Sequence, residues 1–231
     1  MEIKRFFKRI PLIRDYVAFR KINKATNPSF FLFLKSQIWI NFKNNRYFPY
    51  DKNTTIMGRN IILGKNSVIG QRGGCYIQGN GKLFIGDYVR IAQNVIITSD
   101  NHDPLNHKLK IKKETIIGDY CWIASNACIM AGVVLGPRTI VGAGSVVTKS
   151  FPEGFCIIAG NPARLIRNID RELFIIPEKE PVEFYGYIRS DRFPEYYKKY
   201  LSYLQFDYNL SAVTYNPIFV NNQRVNDCKE S

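Results

Sequence analysis

Residues 117–149 read IGDYCWIASNACIMAGVVLGPRTIVGAGSVVTK, and an aliphatic side chain returns at every sixth position: Ile117, Ile123, Ile129, Leu135, Val141 and Val147. The residue after it is small in most hexads (Gly118, Ala124, Gly136, Gly142, Thr148). Four positions on comes a small or modest one: Cys121, Ala127, Val133, Thr139, Ser145. A period of six matches neither a helix nor an ordinary alternating strand. It fits a solenoid of short flat strands with a sharp corner in every hexad. The aliphatic then points into the coil, and a corner that is crowded or needs positive φ takes glycine or a small residue. Three hexads close one triangular coil. A single coil cannot bury its own faces, so coils must stack.

Working outward, the same pattern precedes this run at Ile85-Gly86, Ile91-Ala92 and Ile97-Thr98, with Val89 and Val95 at the fourth offset. Leu63-Gly64 and Ile69-Gly70 start the series, with a slip of two residues between Ile69 and Ile85. The repeat predicts roughly five coils. It breaks between Ile97 and Ile117, which lie 20 residues apart. The stretch from Ser99 to Thr115, SDNHDPLNHKLKIKKET, is polar and basic and reads as a loop thrown out of the solenoid. Loops on a rigid scaffold are where chemistry is usually placed. This one holds both histidines of the protein, His102 and His107.

The flanks differ from the middle. Fifteen of the 16 glycines lie between Gly58 and Gly160, whereas 12 of the first 50 residues are Phe, Trp or Tyr. We divide the chain into a basic aromatic segment (1–50), the repeat domain with its loop (51–168, loop 99–115) and a Tyr-rich extension (169–231). The flanks read as helical or irregular. Of the 33 Lys and Arg, 11 fall in residues 1–50 against 2 acidic residues, which points to an anionic partner there. Residues 3–22, IKRFFKRIPLIRDYVAFRKI, mix bulky apolar and basic side chains as an interfacial segment would. Pro11 sets any helix to start near residue 12. Two uses are open: peripheral membrane contact through residues 1–22, or aromatic cover for an open coil end. Tyr196, Tyr197, Tyr200 and Tyr203 share near-helical spacing and either cover a coil end or flank the acceptor site. The five cysteines form no CxxC, and no apolar run is long enough to span a bilayer, so the chain reads as cytoplasmic, with the inner face of the membrane as its alternative address.

Several motifs go beyond the period: Ile85-Gly86-Asp87, ITSDNHD at Ile97 to Asp103, WIASNA at Trp122 to Ala127, VGAGSVVTK at Val141 to Lys149, and AGNPARLIR at Ala159 to Arg167. Together they resemble the hexapeptide-repeat acyltransferases, which fold as left-handed parallel β-helices. They are most similar to the O-acetyltransferases of the galactoside, maltose and nodulation-factor type and those of capsule and O-antigen synthesis. The resemblance covers about residues 56–168. It implies a mainly β fold, acetyl-CoA as co-substrate, a sugar or glycan hydroxyl as acceptor, and a homotrimer with CoA lying between adjacent coils.

The resemblance places the essential histidine directly after the strand, at His102, and leaves His107 as a surface residue. Acetyl-CoA is already activated, so the hard step is deprotonating the acceptor hydroxyl, which a neutral imidazole can do. Its other ring nitrogen needs an acceptor, for which Asp103, Glu114 and a backbone carbonyl are candidates. Asp103 is carried with His102 as catalytic. Family positions for CoA fall on Trp122, Ser125, Ala143, Thr148, Lys149, Arg164 and Arg167. A small residue at 143 lets the pantetheine arm approach the backbone, and the cations suit phosphates. An asparagine found about 30 residues before the histidine in galactoside-type enzymes is replaced here by Arg72. Arg72 and Asn101 are candidate acceptor contacts.

The same residues bear on other functions. An N-acyltransferase of an amino sugar shares the coil, but usually adds a nucleotide-sugar-binding N-terminal domain, for which the first 50 residues are too short and too basic. γ-Type carbonic anhydrases carry a His-x4-His pair with the spacing of His102 and His107, but need three histidines where this chain has two. Cys75, Cys121 and Cys128 could substitute in principle, yet read as packing positions, so no metal is expected. No nucleic-acid-binding motif accompanies the basic charge.

Overall fold

The computed structural model describes residues 11–38, 47–175 and 182–204. It is mainly β, with helices α1 (Pro11–Ile22), α2 (Phe30–Ile38) and α3 (Phe193–Tyr200). From Thr55 onward the chain visits three sheets in turn, with parallel pairing throughout the coil. The first sheet stacks Thr55–Gly58, Tyr76–Gly79, Ile96–Ile97, Cys128–Ile129 and Val146–Val147. The second stacks Ile61–Leu63, Lys82–Ile85, Glu114–Ile117 and Val134–Leu135. The third stacks Arg90–Ile91, Trp122–Ile123, Ile140–Val141 and Cys156–Gly160, and ends on the antiparallel strand Ala163–Asn168.

The sixth-position aliphatics meet one another in register. Ile56, Ile77, Ile97, Ile129 and Val147 form one column. Leu63, Ile85, Ile117 and Leu135 form the second. Ile91, Ile123, Val141 and Ile158 form the third. None is more than 5% exposed, so each contributes the roughly 2 kcal/mol expected of a buried aliphatic. The three columns are the core, and they hold the corners rigidly. The fourth-offset residues Cys121, Ala127, Val133, Thr139 and Ser145 are buried as well.

The corners correct one expectation. At the corner between the second and third sheets, glycine supplies the positive φ only at Gly154. The conformation otherwise falls on Asn66, Tyr88, Tyr120, Arg138 and Phe155, most of them large. The large side chains project outward and stack. Tyr88 and Tyr120 lie face to face with centroids 5.0 Å apart, and the Arg138 guanidinium lies 4.8 Å over the Tyr120 ring and 5.4 Å over that of Phe155. The recurrence of glycine at Gly64, Gly86, Gly118 and Gly136 reflects crowding instead: at Gly64 a Cβ would sit 2.3 Å from the carbonyl carbon of Gly86.

The flanks cover the first coil. Phe19 of α1 packs on Phe33, Phe184 and Tyr187, and Tyr47 packs on Phe193 and Tyr196. Tyr47 Oη accepts the Leu63 N–H at 2.8 Å, and Asn66 exchanges two hydrogen bonds with Phe184. Arg189 reaches Asp15 of α1 at 2.6 Å. Part of the described flanks thus serves as aromatic cover, with Tyr196 and Tyr197 buried in it, while Tyr203 is 51% exposed. Helix α1 is described over Pro11–Ile22, and its Ala18 and Phe19 are buried against the coil end; residues 1–10 lie outside the described residues. No described helix is long and apolar enough to cross a membrane. Cys75, Cys121, Cys128 and Cys156 are free and buried or half-buried in the repeat, while Cys228 lies outside the described residues. Burial pushes the Cys121 thiol up to about 12, so it stays neutral.

One carboxylate binds this cover to the coil. Asp87 accepts the Lys65 N–H at 2.7 Å and pairs with Lys65 Nζ at 3.3 Å; Lys65 also lies 3.7 Å from Glu183 of the C-terminal segment. Burial, helped by the neighbouring Asp119 carboxylate, raises Asp87 to about 6. A folded-state value above the unfolded one favours the neutral form. The stability from Asp87 is thus full below about pH 4 and is lost as pH rises through 6, a change of about 3 kcal/mol. Asp87→Asn stays neutral throughout. Urea unfolding of both proteins from pH 4 to 7 should show the wild type losing ground to the variant by that order. Parallel pH profiles would contradict the assignment.

Candidate active site

The break in the repeat sits at the corner between the first and second sheets. Both ends of the loop are tied down. The Lys113 N–H donates to the Ser99 carbonyl at 2.8 Å; Ser99 Oγ donates to the Gln78 carbonyl at 2.7 Å and accepts the Gly81 N–H at 3.0 Å. Thr115 Oγ1 donates to the Thr98 carbonyl at 2.7 Å and accepts the Gly132 N–H at 3.0 Å. The loop is a hairpin. Asp100–His102 runs antiparallel to Lys110–Lys112, with Asp100 opposite Lys112, Asn101 opposite Ile111 and His102 opposite Lys110.

His102 stands exposed on the hairpin, and its Nδ1 lies 2.7 Å from the His107 carbonyl oxygen. A carbonyl can only accept, so Nδ1 carries the proton and Nε2 of the neutral ring presents its lone pair outward. Of the three acceptors left open by the sequence, the backbone carbonyl fills the place. The Asp103 carboxylate turns the other way: its Oδ1 accepts the N–H groups of Leu105 and Asn106 at 2.8 and 2.9 Å and shapes the turn that brings His107 back. No side-chain pattern says which main-chain oxygen will serve, so the choice of the His107 carbonyl was out of reach of the sequence.

Two groups among the other predicted residues each share a corner, and Trp122, Arg164, Arg167 and Asn101 lie elsewhere. Thr148 and Lys149 lie exposed at the same corner as the loop, two coils further on. Arg72, Ser125 and Ala143 occupy the corner between the third and first sheets. Trp122 is 53% exposed on the outer side of the third sheet, aligned with Arg90. Arg164 and Arg167 are exposed on the closing antiparallel strand of that sheet. Asn101 alternates to the side of the hairpin opposite His102. Within one chain the structure therefore joins His102 with Lys149 along one edge, and Ser125 with Ala143 along another. Gly142, Ala143 and Gly144 leave that second edge bare, and a Cβ at Gly144 would meet nothing within 4 Å. Among the described residues no three His, Cys, Asp or Glu side chains converge as a metal site.

Residues 114–149 match the bacterial transferase hexapeptide family (six repeats). The matched stretch is the part of the chain where the six-residue period runs unbroken. Over 129 residues the chain is 36% identical to galactoside O-acetyltransferase of Escherichia coli (strain K12), a match that takes in 54% of this chain and 58% of that protein. The solved structure of galactoside acetyltransferase in complex with coenzyme A superposes with a TM-score of 0.50 at 25% identity, covering 74% of this chain and 88% of that one. The chain spans about half the length of the curated relatives it matches. The resemblance read from the motifs is the one these relatives carry.

Proposed function

We propose that this chain is an acetyl-CoA-dependent O-acetyltransferase that esterifies a hydroxyl of a sugar or surface-glycan precursor. The observation that carries the reading is the His102–His107 hydrogen bond, which makes Nε2 a free base at the tip of a rigidly tied hairpin. The acceptor hydroxyl gives its proton to Nε2 while its oxygen attacks the thioester carbonyl carbon. The tetrahedral adduct expels the CoA thiolate, and the imidazolium returns the proton to sulfur. The His107 carbonyl holds the ring and stabilises its charged form during this exchange. No covalent enzyme intermediate is required.

We read the coil as left-handed and the active assembly as a cyclic trimer. Two features support an assembly. The edge with His102 and the edge with Ser125 and Ala143 are different corners, and a neighbouring subunit can supply the missing one. The loop also exposes Leu105 (96%), Leu109 (56%) and Ile111 (41%), apolar surface that a second subunit would cover. CoA would lie between the two edges, pantetheine along the bare corner at Ala143, with Lys149, Arg164 and Arg167 toward its phosphates.

A thiol-release assay with acetyl-CoA and a panel of sugars tests the reading, and release that no acceptor stimulates would defeat it. Arg164→Ala and Lys149→Ala should each raise the KM for acetyl-CoA roughly ten- to a hundredfold, the worth of one charge-assisted contact, with little change in kcat. A phosphate far from the thioester contributes mostly uniform binding, which is why KM moves and turnover does not. Unchanged KM in both variants would remove these residues from the cofactor site.

A further inference from the structure

The hairpin that carries His102 also carries lysines, and the strand register decides where they stand. Lys110 is directly opposite His102, and Lys112 directly opposite Asp100. Side chains opposite one another in an antiparallel pair share a side of the ribbon, and residues two apart on one strand share it too. Asp100, His102, Lys110 and Lys112 therefore line one side, with Asn101 and Ile111 on the other. The acids nearby are engaged. Asp100 is buried, accepts from Asn80 Nδ2 at 3.1 Å and pairs with Lys110 Nζ at 3.7 Å, which draws Lys110 along the ribbon. Asp103 is occupied by its own turn. Lys112 is exposed and has no ionic partner among the described residues.

Two ammonium groups thus flank the side of the hairpin on which the proposed base works. They are too close to His102 to meet the CoA phosphates, because the whole pantetheine arm separates those phosphates from the thioester that must reach this histidine. What lies beside the base at the moment of transfer is the acceptor. We propose that the acceptor carries an anionic group, a carboxylate or a phosphate, close to the hydroxyl that is acetylated, and that Lys110 and Lys112 receive it. This rests on the acetyltransferase reading above and narrows its substrate class. Both cations are partly exposed, so the attraction is screened by salt.

The test compares glucose, glucuronate and glucose 6-phosphate as acceptors for the full-length protein and for Lys110→Gln, Lys112→Gln and the double variant. Binding of the same three sugars in the presence of CoA is followed in parallel by ligand-observed NMR. The wild type should prefer one or both anionic sugars in kcat/KM. In the double variant the ratio of anionic to neutral kcat/KM should fall roughly ten- to a hundredfold, and added salt should produce part of the same fall in the wild type. The carboxylate and phosphate arms tell which anion fits. Equal use of glucose and the anionic sugars, or a ratio that the lysine variants leave unchanged, overturns the anion site while transfer itself stands. Anionic sugars that bind and lose binding in the variants, with no transfer to any sugar, keep the anion site and sink the acetyltransferase reading. A rise in the KM for acetyl-CoA alone would assign the lysines to the cofactor and overturn the inference.

Discussion

Replacing His102 with alanine is expected to cut turnover by roughly 100- to 10,000-fold while acetyl-CoA still binds, the contribution usual for a positioned general base. The separation of effects follows from the layout. His102 stands on the hairpin, whereas the residues proposed for CoA stand on coil corners and on the closing strand, none of which the histidine supports. His107→Ala should keep activity within a few fold, because the group that orients His102 at 2.7 Å is the backbone carbonyl of residue 107, which alanine retains. Asp103→Ala should fall between the two. It releases the N–H groups of Leu105 and Asn106 and so loosens the turn that carries His107. Steady-state kinetics with acetyl-CoA titrated separately would read all of this. Near-normal turnover in His102→Ala would end the proposed mechanism.

The coil was the most legible part of the chain because its driving force is periodic. One aliphatic per hexad is enough to state which residues are inside, and Ile117, Ile123, Ile129, Leu135, Val141 and Val147 are all fully buried. The loop was legible as a break in that period, and His102 through the motif around it. What stayed hidden depends on geometry that no single residue type announces. Positive φ was expected of small corner residues, and Gly70, Gly132, Gly144 and Gly154 adopt it, but so do Tyr88 and Tyr120, whose rings stack one coil apart. The acceptor for His102 Nδ1 is a main-chain oxygen, which every residue possesses. Register between Asp100–His102 and Lys110–Lys112 cannot be read from two short polar strands, and it is register that sets Lys110 beside His102. The two groups of predicted site residues share no corner because the sequence repeat runs through all three corners alike.

The second large effect should come from a residue that touches no substrate. Gly81 lies where the second coil passes beneath the base of the hairpin. A Cβ there would sit 2.1 Å from the Ser99 carbonyl oxygen and 2.2 Å from that of Lys113, far inside contact distance, and both atoms are main chain. Neither can rotate away, so Gly81→Ala must push the two ends of the loop outward or shift its own strand. Three hydrogen bonds meet at that point: Lys113 N–H to the Ser99 carbonyl at 2.8 Å, Lys82 N–H to the Lys113 carbonyl at 2.9 Å, and Gly81 N–H to Ser99 Oγ at 3.0 Å. His102 follows Ser99 by three residues and inherits any displacement. A misplacement of about 1 Å can cost on the order of a hundredfold in rate. The columns through Ile77 and Ile85 are not touched, so the coil should still fold, with a destabilisation of about 1–3 kcal/mol from the crowded corner. We therefore expect Gly81→Ala to lose about a hundredfold in kcat per folded molecule, with the KM for acetyl-CoA nearly unchanged and far-ultraviolet circular dichroism preserved. Wild-type turnover in this variant would mean that the hairpin base does not position His102.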